Sequence, residues 1–322
     1  MKRFRIPVVV LMLVSALSTP LFAYVTLRTL SSTNTIVQVK WLNGSPVSWQ
    51  MNPTPGGNIS GSREQADVAR QSFKTWSLIP TADVRLSEGA PTSAQFAYDG
   101  KNVVVTNLSS NDWTSFGLGS SVLAFTATAS FDMGGIVDKL GRPVTFAGQL
   151  MEADIVFNPS YEFSTEDVVP TDKIDFQSVL THEIGHFLGL DHSPIASSTM
   201  FWTTTRGSKT QRTLGPDDVA GLSSIYPTAA FSAKGILKGT VRDTANAPVY
   251  GAVVIALNGS GQPVASAITD PNGQYTIMGL DSGSYSVYAQ ALEGFSSSGN
   301  FNTLKAIFPG QTIKTGFSAR FR

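Results

Sequence analysis

The stretch His182-Glu183-Ile184-Gly185-His186-Phe187-Leu188-Gly189-Leu190-Asp191-His192 decides how this chain is read. All three histidines of the 322 residues fall inside it, at the spacing H-E-x-x-H-x-x-G-x-x-H. A helix turns by about 100° per residue, so positions i and i+4 return to one face, about 6 Å apart along the axis. His182 and His186 can therefore aim two imidazoles at one ion. Glu183 stands one step round, within reach of a water at that ion without being a ligand itself. Gly189 can take the left-handed conformation that ends a helix and turns the chain back, which brings in His192 as third ligand. Three protein ligands with an open fourth position describe a catalytic zinc, whereas a structural zinc is closed by four. A lone histidine is usually a core or surface residue, and H-E-x-x-H arises by chance in long chains. The glycine and the third histidine at fixed offsets make coincidence a poor account. The spacing predicts one catalytic Zn2+ on His182, His186 and His192, with Glu183 as general base in peptide hydrolysis.

The flanks read as ordinary secondary structure. Asp175 offers a helix cap, followed by apolar residues at 176, 179, 180, 184 and 187, the spacing of one buried face. A second helix is expected over 215–226, with Pro216 in its first turn, Asp217 and Asp218 beside its N-terminus, and Pro227 as the stop. Upstream, 62–77 reads as an amphipathic helix with Ala66, Ala69, Phe73 and Trp76 on one stripe and Ser62/Gln65 as a capping box. Residues 103–105 and 154–158 read as strands of a mostly buried sheet.

Two residues beyond the motif sharpen its kinship. Ser193 follows the third histidine, and Met200 stands eight residues after His192. With these the segment resembles the metzincin clan and, within it, the matrixins. The resemblance implies that Met200 packs beneath the metal ligands as an apolar floor without coordinating. Trp202 stands where astacins and serralysins carry a metal-reaching tyrosine and where matrixins usually carry proline; indole has no lone pair to give a metal. Residues 122–126 resemble the edge strand that matrixins lay antiparallel to substrate, so Leu123 and Ala124 fall where backbone groups bind the peptide. Phe125 occupies the place of a structural-zinc histidine, so a second, structural zinc is not expected. Asp132, Asp138 and Asp154 could hold a structural Ca2+ or equally serve as loop and strand-end carboxylates. The implied fold over 34–227 is an α+β metzincin-type catalytic domain: a twisted mixed sheet with an active-site helix and a C-terminal helix.

Composition bounds the rest. The formal net charge is zero and charged residues make up 14%, which leaves no electrostatic footprint for nucleic acid. Lys2, Arg3 and Arg5 precede an apolar run from Ile6 to Leu17 and small residues near Ala23, the pattern of a signal peptide over 1–23. The membrane enters only through export, or through this segment as an uncleaved anchor. With no cysteine the chain has no disulfide, no thiolate to latch a zinc and no lipobox. A linker is expected over 228–234. From 235 the pattern changes to short alternating strands parted by turns such as Asp270-Pro271-Asn272-Gly273. Pro248, Gly251-Ala252-Val253-Val254, Thr269-Asp270, Tyr275 and Gly279-Leu280 resemble the carboxypeptidase regulatory-like fold, which implies a small all-β sandwich over 235–322. The sum is a secreted (extracellular or periplasmic) monomeric zinc endopeptidase acting on proteins or peptides. The alternative is a catalytically silent zinc-binding protein that attaches to a surface or polysaccharide through its sandwich.

Overall fold

The computed structural model describes residues 26–119, 121–292, 304–305, 307–318 and 320–321; the expected signal peptide lies outside them. The first half of the chain holds β1 (Arg28–Leu30), β2 (Ile36–Gln38), β3 (Val47–Met51), β4 (Ile59–Ser60), α1 (Gln65–Ser77), β5 (Leu86–Glu88), β6 (Val103–Val105), α2 (Ser110–Ser115), β7 (Ala124–Ser130), β8 (Ile136–Val137), β9 (Pro143–Val144) and β10 (Leu150–Phe157). Then come β11 (Phe163–Ser164), β12 (Ile174–Asp175), α3 (Phe176–Phe187), a 3-10 turn at Thr210–Arg212, α4 (Pro216–Ile225) and α5 (Ala229–Ser232). The C-terminal region is β-rich: β13 (Gly235–Thr240), β14 (Val253–Leu257), β15 (Pro263–Ile268), β16 (Gln274–Leu280), β17 (Ser286–Gln290) and β18 (Arg320–Phe321).

A five-stranded mixed sheet, in the order β5-β3-β6-β10-β7, organises the N-terminal part. Its strands pair in parallel except β7, which runs antiparallel to β10 and forms one edge. Every residue of β10 is buried, as a central strand covered on both faces requires. Its two carboxylates are matched by backbone donors. Glu152 accepts the amides of Asp99 and Gly100, and Asp154 those of Ala97 and Val103 at 3.2 and 2.8 Å. Loop 97–103 is thereby tied to the sheet. Helices α1 and α3 cover one face, where Trp76, Phe73, Leu180, Ile184 and Phe187 join Trp49 and Ile155 in the main core. Trp76 buries its ring yet keeps its donor satisfied, giving Nε1–H to the carbonyl of Thr181 at 2.8 Å.

Helix α1 starts later than its sequence suggests. The expected Ser62/Gln65 capping box does not form; Glu64 is the N-cap and makes no side-chain cap bond. Ser62 instead gives its amide and hydroxyl to the Glu166 carboxylate at 2.8 and 2.7 Å, while Gln65 turns to the backbone of Gly56. Tertiary partners outcompete the local motif. Strand β7 likewise begins at Ala124 rather than 122. At α3 the cap does form, with the Asp175 carboxylate accepting the Ser178 amide at 2.8 Å.

The C-terminal region holds a two-stranded sheet (β13-β16) and a four-stranded one (β15-β14-β17-β18). The stretch expected as a linker contains α5, whose Phe231 is buried against Gly279. Among the described residues no helix is long and apolar enough to cross a membrane.

Candidate metal centre

Helix α3 carries His182 and His186 one turn apart, with ring centroids 4.9 Å from each other. After Phe187 the chain turns back through Gly189, whose φ of 96° lies in the left-handed region, and a Cβ there would meet the Val39 carbonyl at 2.4 Å. This reversal sets the His192 ring 5.2 Å from His182 and 4.9 Å from His186. One potential ligand atom from each ring lies within 4.8 Å of the others. His182 Nδ1 is 2.8 Å from the carbonyl of Thr199, and His186 Nδ1 is 2.8 Å from that of Leu190. A carbonyl only accepts, so each Nδ1 carries its proton and leaves Nε2 with the lone pair a metal needs. Burial, then the neighbouring histidines, holds His182 well below its ordinary pKa; the same causes lower His192 to about 3. These are neutral donors, suited to zinc. The three histidines fit the ion.

Glu183 is buried beside them. Thr126 on β7 places its hydroxyl 2.7 Å from Glu183 Oε2 and 2.9 Å from the Glu183 carbonyl oxygen. Burial raises the carboxyl above its ordinary range, against the pull of His186 and the Thr126 hydrogen bond. A raised pKa makes a carboxylate a better proton acceptor.

Met200 is 2% exposed and packs against α3 at Gly185. Its approach depends on Gly185, because a Cβ at that position would meet Met200 Sδ at 2.1 Å. Asp218 fixes the turn that carries Met200: its carboxylate accepts the amides of Thr199 at 2.7 Å, Met200 at 3.0 Å and Gly215 at 2.7 Å, as well as the Ser198 hydroxyl. Gln211 gives its amide to the carbonyls of Thr199 and Phe201 at 3.1 and 2.8 Å, so it braces the same carbonyl that orients His182. A cleft of about 400 Å³ opens beside the histidines, lined by Ala124, Val179, Glu183, His192, Phe201 and Trp202 among others. Leu123 lies on the cleft just ahead of β7, and its carbonyl is already taken by the Asn158 amide at 2.9 Å. Ala124 opens β7 opposite Phe157.

Of the carboxylates considered for calcium, Asp138 is engaged by Arg142, the Tyr98 hydroxyl and the Leu140 amide. Those bonds hold it below the usual carboxylate range in spite of the desolvation that opposes them. Asp154 holds the loop amides described above. The sequence pattern did not single out Thr126, Gln211, Gly185 or the grip of Asp218 on the methionine turn. Each acts across a long sequence separation or through a neighbour's volume, which no local spacing encodes.

Comparison with known proteins places this architecture. Residues 123–227 match the matrixin family model. That segment is matrixin-like. A carboxypeptidase regulatory-like domain model matches residues 236–303. Metalloendoproteinase 2-MMP of Arabidopsis thaliana is 32% identical over 152 residues, which is 41% of this chain and 40% of that protein. Metalloendoproteinase 4-MMP of Arabidopsis thaliana is 46% identical over 55 residues, 17% of this chain and 16% of the relative. Matrilysin of Rattus norvegicus is 42% identical over 53 residues, 16% of this chain and 20% of the relative. The matched stretches thus span less than half the length of these curated relatives. The matrixin-like segment contains the histidine cluster, Glu183 and Met200, and a matrixin implies one catalytic zinc.

Proposed function

We propose that this protein is a secreted zinc-dependent endopeptidase that cleaves peptide bonds of proteins or peptides. The observation that carries the reading is the convergence of three imidazoles beside a buried carboxylate at the floor of an open cleft. The metzincin-type domain spans 34–227, and 235–322 is the regulatory-like β-sandwich. His182, His186 and His192 hold the ion, and Met200 supports them from below. When bound, zinc supplies a Lewis acid that polarises a carbonyl and acidifies water. Glu183 takes a proton from the attacking water and returns it to the leaving amine. Thr126 holds that carboxylate in place. The free edge of β7, from Ala124 on, offers backbone groups to an extended peptide.

A fluorogenic peptide assay tests this directly. Cleavage is expected to stop with a zinc chelator and return with added zinc. Glu183→Gln should retain zinc and lose on the order of 10²–10⁴-fold in rate. Full activity of that variant would remove Glu183 from the mechanism. Chelator-insensitive or absent turnover would favour the silent, surface-binding alternative.

A further inference from the structure

We infer that the C-terminal β region positions the third histidine, by clamping the segment that follows it from two sides. His182 and His186 take their places from α3, a capped and buried helix. His192 lies beyond that helix, and the chain leaves it through Ser193, Pro194 and Ile195 in a loop on its way to Met200. What grips that loop therefore acts on His192 together with the Gly189 reversal before it.

The first grip is polar. Ser193, 4% exposed, donates its hydroxyl to Asp217 Oδ2 at the start of α4. The other carboxylate oxygen, Oδ1, accepts the backbone amide of Ser266 on β15 at 2.7 Å and its hydroxyl at 3.1 Å. Ser266 is wholly buried. A buried carboxylate is tolerated only when donors surround it, so Asp217 needs both partners to stay where it is. The second grip is apolar. Ile195, 4% exposed, is buried in a cluster whose other buried members, among them Tyr250, Val253, Ile255 and Ile268, come from the C-terminal region, with Ile36 of β2 packed at its margin. The two grips are joined, since the Ser193 hydroxyl accepts the Ile195 amide at 3.1 Å. The loop is closed on the other side by the Ser193 amide, which donates to the Met200 carbonyl at 2.8 Å. Helix α4 transmits the contact: Ala220, one turn after Asp217, packs with Val254, Ala256 and Ala267. Partners beyond the ligands themselves orient a metal site, and their loss typically costs about 10–100-fold in affinity or activity. Here those partners come from another part of the chain.

The inference builds on reading the three histidines as a metal centre, but its test does not depend on that reading. Because the chain has three histidines, the full-length, metal-free protein gives three imidazole spin systems in nitrogen-15 NMR. Asp217→Asn and Ser266→Ala are expected to shift or broaden the His192 ring signals while those of His182 and His186 stay in place. In parallel, Co2+ affinity should fall on the order of tenfold. Asp243→Ala is the control: it removes an exposed carboxylate that accepts the Ala245 and Ala247 amides and pairs with Lys314, outside both apolar clusters. It should lower thermal stability and leave the His192 signals and Co2+ affinity alone. Should Asp217→Asn fail to fold, Ser266→Ala and Ile195→Val carry the same comparison. Unmoved His192 signals in these variants, or equal movement in Asp243→Ala, overturn the clamp. Failure of the wild-type chain to bind Co2+ would instead sink the metal-centre reading and leave the NMR to decide the clamp.

Discussion

Gly185 shows how much a missing side chain can matter. A glycine inside a helix costs up to about 1 kcal/mol relative to alanine, so replacing it should help if space allowed. Space does not allow it. A Cβ would meet Met200 Sδ at 2.1 Å and Cε at 2.9 Å, and Trp76 Cζ2 at 3.1 Å, with the Trp76 ring held by its bond to Thr181. Gly185→Ala should therefore destabilise the protein by about 1–2 kcal/mol net, an overpacking cost larger than the propensity gain. Urea unfolding measures it, and zinc affinity should fall as Met200 is pushed away from the helix that carries His182 and His186. Thr126 is the converse, a side chain whose hydroxyl does the work. Thr126→Val keeps the shape and loses the bond to Glu183. It should lower kcat/KM about tenfold, or about 1.4 kcal/mol, with metal affinity unchanged. Thr126→Ser should restore the rate; a slow serine variant would assign the loss to the methyl group. The histidine cluster was legible from spacing because its members share a helix and its turn. Thr126 was not, since it reaches Glu183 across 57 residues.

At the scale of elements, α3 was readable from its Asp175 cap and its apolar stripe, whereas the start of α1 was not, because Ser62 finds Glu166 across 104 residues. The same cap on α3 has a partner that no local rule could supply. Arg212, at the end of the 3-10 turn, forks onto Asp175 with Nε 2.8 Å from Oδ2 and Nη2 2.6 Å from Oδ1. The side chains are 12% and 0% exposed. The pair ties the wall of the cleft to the base of the active helix. Truncating one member of a buried ion pair leaves the other uncompensated, at about 3–5 kcal/mol. Arg212→Ala should cost about 3 kcal/mol in denaturant unfolding, because Asp175 keeps its bond from the Ser178 amide. The 201–212 wall should also exchange its amide hydrogens faster. Loss of stability without faster exchange there would confine the pair to a capping role.

For the molecule as a whole, turn signals were enough to find a β-rich C-terminal region, but not that α4 and β15 would share a buried carboxylate. A carboxylate in such a place leaves a mark on the pH dependence of stability. Burial, opposed by the amides of Val103 and Ala97, pushes Asp154 up to about 7. Burial above all, opposed by the Ser193 hydrogen bond and reinforced by Asp218, pushes Asp217 up to about 6. A carboxyl whose folded pKa is raised binds its proton more tightly folded than unfolded. Its contribution is complete below the unfolded value near 3.8 and is lost as pH rises through 6 to 7. The histidines act oppositely. His182 and His192 are depressed by burial, so the unfolded chain takes up protons that the folded one refuses as pH falls through their unfolded value of 6.5. Between pH 8 and 6.5 the two effects nearly cancel, so the metal-free protein should gain only about 0.2 kcal/mol, pass through a shallow maximum near pH 6.5, and lose stability slowly below it. Urea titrations at half-unit pH steps would trace this curve. His192→Gln should move the maximum to lower pH, because one of the two groups that refuse protons is gone while Asp154 and Asp217 still favour acid. A maximum that stays put in that variant would mean that His192 does not govern the acid limb.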